Sequence, residues 1–168
     1  MGFNISQLNK HHDRKSFSCE NEMLNNYLKK QARQDVDGKL SVCFILTHSE
    51  SENEIIGYYT LSNSSISKEE LSENLLQNLP RSYNRLPVTL LGRLVRDIKF
   101  KGKDIGNLLL IDALKKSYEV SSNSIGSMAV IVDPIDHQAI AFYAKYGFRK
   151  LDSGKMFLPM DTISQLFS

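Results

Sequence analysis

The chain has no apolar run long enough to span a bilayer, and its N-terminus, MGFNISQLNKHHDRK, lacks the apolar segment of a signal peptide. A helical membrane protein is excluded and the cytosol is the expected compartment. Cysteine is scarce: Cys19 and Cys43 stand far apart, there is no CxxC, and no histidine pair sits at ligand spacing. This argues against a disulfide framework and against a metal site. Cys43, inside SVCFIL, reads as a small core hydrophobe. An excess of one charge is also missing, since 21 Lys and Arg face 19 Asp and Glu, leaving +2. Such a chain does not coat nucleic acid by charge alone, so any contact of that kind must be a local patch. No repeat and no Pro- or Gly-rich linker interrupts the 168 residues, which have the length and apolar content of one domain, 1–168.

What is present is an alternation of helix and strand signals. After the FSCEN turn, Met23, Tyr27, Leu28 and Ala32 recur at helical spacing with Lys29, Lys30 and Arg33 between them, which predicts an amphipathic helix with a basic outside. LSVCFILTH (40–48) and EIIGYYTLSNSSI (54–66) read as two strands of a hairpin across the polar SESEN. Residues 67–79 read as a short acidic helix that ends near Pro80. PVTLLGRLVRDIKF (87–100) is a long strand leading into a tight loop and a helix that carries Leu108, Leu109, Ala113 and Leu114. IGSMAVIVDP (125–134) is an apolar strand of the kind covered on both faces. Residues 136–148 form a helix stopped at Gly147, which suits a left-handed residue just past a helix end. A strand pair over 149–160 finishes the chain. The order predicts an α/β fold, a mixed central sheet with helices on both faces.

Two stretches carry chemistry. FKGKDIGN (100–107) joins a strand to a helix N-terminus, where unpaired backbone N–H groups and the positive dipole end converge on one point and favour a phosphate. The second is AIAFYAKYGF (139–148). Strand, KGKDIG, apolar strand and FYAKYGF, in that order, resemble the Gcn5-related N-acetyltransferases (GNAT). Their pyrophosphate loop runs R/Q-x-x-G-x-G/A, and their last helix commonly closes on F-Y-x-x-x-G-F. Five ordered segments, HDRKSFSCENEMLNNYLKKQARQD, IIGYYTLSNSSI, LPVTLLGRLVRD, IGNLLLIDAL and AIAFYAKYGF, are similar to the branch of that family that acts as toxins in toxin–antitoxin pairs.

The resemblance implies acetyl-CoA as co-substrate. It implies that Leu94, Val95 and Arg96 lie on the strand whose backbone pairs with the pantetheine arm. It places Lys101, Gly102, Lys103, Asp104, Ile105 and Gly106, followed by Asn107, in the pyrophosphate loop, and it makes Tyr143 the general acid. It further implies a charged tRNA as acceptor, a ribbon-helix-helix antitoxin and a homodimer. Four residues depart from the family pattern: Lys101 replaces Arg or Gln, Arg96 a small apolar residue, Glu20 a glycine, and Asp104 the central glycine. Aspartate at 104 is a good N-cap, but its carboxylate repels a pyrophosphate and its Cβ restricts positive φ, less in Asp than in most residues.

Chemistry narrows the acceptor. A lysine amine near pKa ~10.4 needs a strong base, whereas an α-amine at about 7.7–8.0 is already partly free at neutral pH. No buried-carboxylate base is evident in the sequence, which favours an α-amine. Tyr143 is a phenol able to protonate a leaving thiolate. Basic side chains near the acceptor entrance are needed to hold tRNA phosphates. Arg93 is the first candidate, with Lys29, Lys30, Arg33 and Arg85 beside it, and Arg14 and Arg81 as further ones. The four histidines carry no assigned chemistry; His137 is placed in the first turn of the last helix. Two alternatives stand beside the tRNA-acetylating reading: a GNAT enzyme acting on a small-molecule amine or a protein N-terminus, and an impaired GNAT-like module with a binding or repressor role.

Overall fold

The computed structural model describes residues 2–168. The elements in chain order are β1 (Phe3–Gln7), α1 (Glu22–Asn26), a π-helical turn (Tyr27–Gln31), α2 (Ala32–Asp37), β2 (Val42–His48) and β3 (Gly57–Ser67). A 3-10 turn (Lys68–Glu70), α3 (Glu73–Leu76), β4 (Arg85–Arg96) and a second 3-10 turn (Ile98–Phe100) follow. The chain ends with α4 (Ile105–Asn123), β5 (Ala129–Val132), α5 (His137–Lys145), β6 (Arg149–Lys150), β7 (Met156–Pro159) and α6 (Met160–Leu166). The strands form a seven-stranded sheet in the order β1-β2-β3-β4-β5-β7-β6. It is mixed as expected, with β4 and β5 parallel and the β1–β2, β2–β3, β5–β7 and β6–β7 pairs antiparallel. The chain gathers into two compact units: residues up to Ser62 with Leu91–Ala113, and Asn63–Leu90 with Leu114–Ser168.

In the first unit the hairpin expected from the two β-rich runs is present, registered from Val42 opposite Leu61 to Leu46 opposite Gly57. Its core gathers Phe17, Tyr27, Leu28, Ala32, Cys43, Ile45, Tyr58 and Val95, among others. Fully burying a side chain of this kind contributes about 1.5–3 kcal/mol. Cys43 is such a core residue, and burial pushes its thiol up to about 12. Gly57 is required by close approach, because a Cβ there would stand 2.8 Å from the Val95 carbonyl oxygen and 2.9 Å from Leu109 Cδ1.

The first helix differs from its prediction. Met23 is 79% exposed and lies off the buried stripe that Tyr27, Leu28 and Ala32 form. The helix also changes pitch: the Ala32 N–H donates to the Tyr27 carbonyl five residues back, which inserts one residue into the helical ladder. Apolar spacing alone does not register an inserted residue.

In the second unit, Ile66, Leu71, Leu86, Val88, Ala129, Ile131, Leu151 and Phe157 form the core. The acidic helix read over 67–79 is two short pieces. Leu71 adopts extended backbone (φ −94°, ψ 150°) and is buried in this core, and Ser67 with Glu70 closes a capping box on the 3-10 turn before it. β5 is buried along its whole length. At the end of α5 the Phe148 N–H donates to the Tyr143 carbonyl and the Gly147 N–H to that of Ala144, with Gly147 at φ 97°. This is the paired C-cap in which glycine relieves Cβ strain. β6 and β7 supply the expected closing strand pair, but α6 follows them, so the helix that His137 opens is not the last.

Candidate active site

The loop before α4 is built from two left-handed residues. Lys101 (φ −57°, ψ 135°), Gly102 (φ 81°) and the 3.2 Å bond from the Lys103 N–H to the Phe100 carbonyl make a type II turn, which needs glycine at its third position. Asp104 follows at φ 59°. Its carbonyl accepts from the Leu108 N–H, opening α4, and its Oδ1 accepts from Asn107 Nδ2 at 3.3 Å. Lys101, Gly102, Lys103 and Asp104 are exposed, while Ile105 is buried and anchors the first turn. The N–H groups of Ile105 and Gly106 lie ahead of any carbonyl partner within the helix, at the positive end of a 19-residue helix. The stretch from Lys101 to Asp104 thus runs through a tight turn directly into the N-terminus of α4.

The end of β4 is fixed to the segment around Cys19. Val95 is a core residue, and Leu94 and Arg96 are half-buried. Arg96 forms a two-pronged ion pair with Glu20, Nη2–Oε2 at 3.1 Å and Nη1–Oε1 at 3.4 Å. Two departures from the family pattern thus answer each other. The backbone N–H of Glu20, and then the Arg96 guanidinium, hold the Glu20 carboxyl below its ordinary range.

Asp97, which no sequence signal singles out, is a buried carboxylate (1% exposed). Its Oδ2 accepts from the Ser18 N–H at 3.0 Å and its Oδ1 from the Lys99 N–H at 2.8 Å. Asn25, also buried, accepts from the Cys19 N–H at 2.8 Å and donates to the Cys19 carbonyl. Asp97 and Asn25 together hold Ser18–Cys19–Glu20 in place. With each oxygen accepting from a backbone N–H, Asp97 serves as a structural anchor.

Tyr143 lies in the last turn of α5, ahead of the helix end at Lys145. Its ring is buried, 8% exposed, against Phe142 (centroids 5.3 Å) and Phe148 (5.2 Å). The Phe148 contact is the apolar contact that accompanies this type of C-cap. Among the described residues the Tyr143 hydroxyl has no hydrogen-bond partner, and the one fully enclosed side-chain N or O atom without a partner is Ser41 Oγ. The ring is therefore held by packing, with its hydroxyl committed to no partner. Burial pushes the Tyr143 phenol well above its ordinary value, so it stays protonated throughout the neutral range. Tyr146 packs on Phe142 at 5.5 Å.

The basic candidates divide by what their side chains already hold. Arg85 donates from Nε to Ser65 Oγ at 2.8 Å and from Nη2 to the Ser65 carbonyl at 3.1 Å. Lys99 is paired with Glu54 at 3.1 Å. Lys30 and Arg81 are exposed, and Arg14, Lys29 and Arg33 are half-buried. The Arg93 guanidinium lies over the Tyr27 ring, 3.4 Å from its centroid. Among the described residues no helix is long and apolar enough to cross a membrane, and no group of three His, Cys, Asp or Glu is placed to hold a metal ion.

No protein-family model matches the chain. A tRNA-acetylating toxin of Mycobacterium tuberculosis is 31% identical over 133 residues, 79% of this chain and 76% of that protein. A probable toxin TacT of Sinorhizobium fredii is 28% identical over 164 residues, 92% of this chain and 89% of that one. Among solved structures, a Tyr-to-Phe mutant of KacT superposes with a TM-score of 0.92 at 28% identity, over 99% of this chain and 100% of KacT. AtaT in complex with acetyl-methionyl-tRNAfMet gives 0.91 at 26% identity over the same shares. AtaTR bound with acetyl-CoA gives 0.86 at 27%, over 99% and 98%. By sequence and by fold, this chain belongs to the GNAT-fold family of tRNA-acetylating toxins.

Proposed function

We propose that the chain acts as a single acetyltransferase domain, the toxin of a toxin–antitoxin pair, that moves the acetyl group of acetyl-CoA to the α-amino group of the amino acid on charged tRNA and so stops translation. The observation that carries this reading is the 31% identity to a tRNA-acetylating toxin over 79% of the chain. In this reading the N–H groups at the start of α4, with Lys101 and Lys103, take the pyrophosphate, and the backbone of Leu94, Val95 and Arg96 pairs with the pantetheine arm.

The reaction forms a C–N bond and breaks a C–S bond, and one proton must move from nitrogen to sulfur. An α-amine supplies its own lone pair in roughly a tenth or more of molecules at neutral pH, which suits a protein whose buried carboxylate at 97 is already committed. Tyr143 gives its proton to the departing thiolate and recovers one from the acylated nitrogen. That coupling is needed because a phenol held above its ordinary value is a weaker acid than a thiol, near ~8.5. The end products are the amide and the free thiol of coenzyme A.

Charged tRNA places the reaction in the cytoplasm. AtaT has been solved bound to the C-terminus of its antitoxin AtaR, and KacTA with DNA. These relatives support an antitoxin partner for this chain, and its ribbon-helix-helix type and a homodimeric toxin are what the family resemblance adds to the proposal. The reading is tested in cell-free translation: added protein should stop synthesis only when acetyl-CoA is present. Arrest without acetyl-CoA, or continued synthesis with it, would overturn the reading.

Asp104 tunes cofactor affinity. Its carboxylate stands at the loop that receives two phosphates, and it already adopts the left-handed conformation that glycine adopts without strain. Asp104→Gly is expected to lower the acetyl-CoA Kd roughly fivefold, about 1 kcal/mol for one like charge removed near the surface. Calorimetric titration checks this, and an unchanged Kd would show that the carboxylate does not face the phosphates.

A further inference from the structure

The residue that stands out once the known chemistry is set aside is Arg93. Arg96 is spent on Glu20, Arg85 on Ser65 and Lys99 on Glu54. Arg93 is half-buried on β4, yet among the described residues its guanidinium makes no ion pair and no hydrogen bond, and it lies over the Tyr27 ring. A guanidinium has five N–H donors in a fixed fork. Stacking satisfies its face and leaves its edge unused, and a partly desolvated cation with unused donors is suited to an oxyanion.

The platform beneath it is rigid. Tyr27 opens the π-helical turn, and its hydroxyl donates to Asp35 Oδ2 at 2.7 Å. Its ring stacks with Tyr58 (centroids 6.4 Å, planes 17° apart), and Tyr58 is itself tied by a 2.7 Å bond from its hydroxyl to the Leu24 carbonyl. Tyr27 and Tyr58 are both buried. A ring fixed at its hydroxyl and by its neighbour restricts the Arg93 plane before any ligand arrives, which reduces the entropy lost on binding.

We propose that Tyr27 is a positioning residue that holds Arg93 as a preorganised two-pronged donor for a backbone phosphate of charged tRNA. This rests on the tRNA-acetylating reading above and adds to it which cation grips the nucleic acid and what orients it. The loop before α4 is assigned to the coenzyme's pyrophosphate, and the acetyl-CoA Kd measured below separates the acceptor's phosphate from the coenzyme's remaining 3′-phosphate as the partner of Arg93.

The test measures kcat and KM for acetyl transfer to charged tRNA at saturating acetyl-CoA, tRNA affinity across a salt series, and acetyl-CoA Kd. Arg93→Ala should raise the KM for tRNA about tenfold, with the loss in KM and not in kcat, and lower the salt slope by about one. Arg93→Lys keeps the charge and the slope but loses the fork, so its KM should rise severalfold. Tyr27→Leu, which removes the ring face, should match Arg93→Lys, and Tyr27→Phe should recover most of that loss. If Tyr27→Leu does not fold, the Arg93 pair and Tyr27→Phe still decide. Arg93 variants with wild-type KM and slope, or a changed acetyl-CoA Kd in place of a changed tRNA KM, overturn the proposal while acetylation by the wild type stands. A wild type that does not acetylate charged tRNA removes the reading and this proposal together.

Discussion

Replacing Tyr143 by phenylalanine is expected to slow acetyl transfer to charged tRNA by about 10²–10⁴-fold, the usual contribution of a positioned general acid. The substitution removes one oxygen and leaves the ring. That ring is held by Phe142 and Phe148, and the C-cap at Gly147 depends on backbone atoms alone, so the fold should be retained. The hydroxyl has no partner among the described residues, so its loss strands no buried donor or acceptor and should cost less than about 1 kcal/mol of stability. Single-turnover kinetics with calorimetric acetyl-CoA binding separates the two effects. The expected outcome is a lost chemical step with an unchanged acetyl-CoA Kd. A Phe variant within threefold of wild-type rate would remove Tyr143 from the chemistry and return it to the core.

Asp97→Ala should be the most damaging single change to the loop side of the molecule. It deletes two hydrogen bonds from backbone N–H groups to a carboxylate that is 1% exposed. Bonds to charged groups contribute about 1.5–3 kcal/mol each. Ser18 and Lys99 are otherwise exposed, so water recovers part of this, and a net loss of about 3 kcal/mol is expected. For a chain of this length that lowers Tm by roughly 10 °C. Asp97→Asn should lose nearly as much, because its amide NH₂ would face one of the two N–H donors. Both variants should also weaken acetyl-CoA binding, since Asp97 caps the 3-10 turn that leads into Lys101 and Gly102. Thermal denaturation within 2 °C of wild type would contradict the anchoring role.

Features set by neighbours in sequence are legible from the residues alone. The loop opening α4, the left-handed stop at Gly147 and the β2–β3 hairpin each follow from a short run of residues with a local cause. Features set by contacts between distant residues are not. Asp97 reaches Ser18 across 79 positions and Arg96 reaches Glu20 across 76. Nothing in either stretch signals its partner, although Arg96 and Glu20 are each conspicuous as departures from the family pattern. The π-helical turn is invisible to a period of 3.6, yet it carries Tyr27 to Arg93. α6 escapes a sequence reading because Pro159 fits both the last residue of β7 and the start of a helix, and MDTISQL has only a sparse apolar stripe. Tyr143 stands out through the family motif, and burial alone would mark it as core.

In the proposed reaction acetyl-CoA is spent on the α-amine of charged tRNA. It is tested most directly by incubating the protein with labelled acetyl-CoA and total charged tRNA, then hydrolysing the ester and identifying what carries the label. The expected product is an N-acetylated amino acid released from tRNA. Label absent from tRNA, while acetyl-CoA still binds, would contradict it and direct the search to another amine.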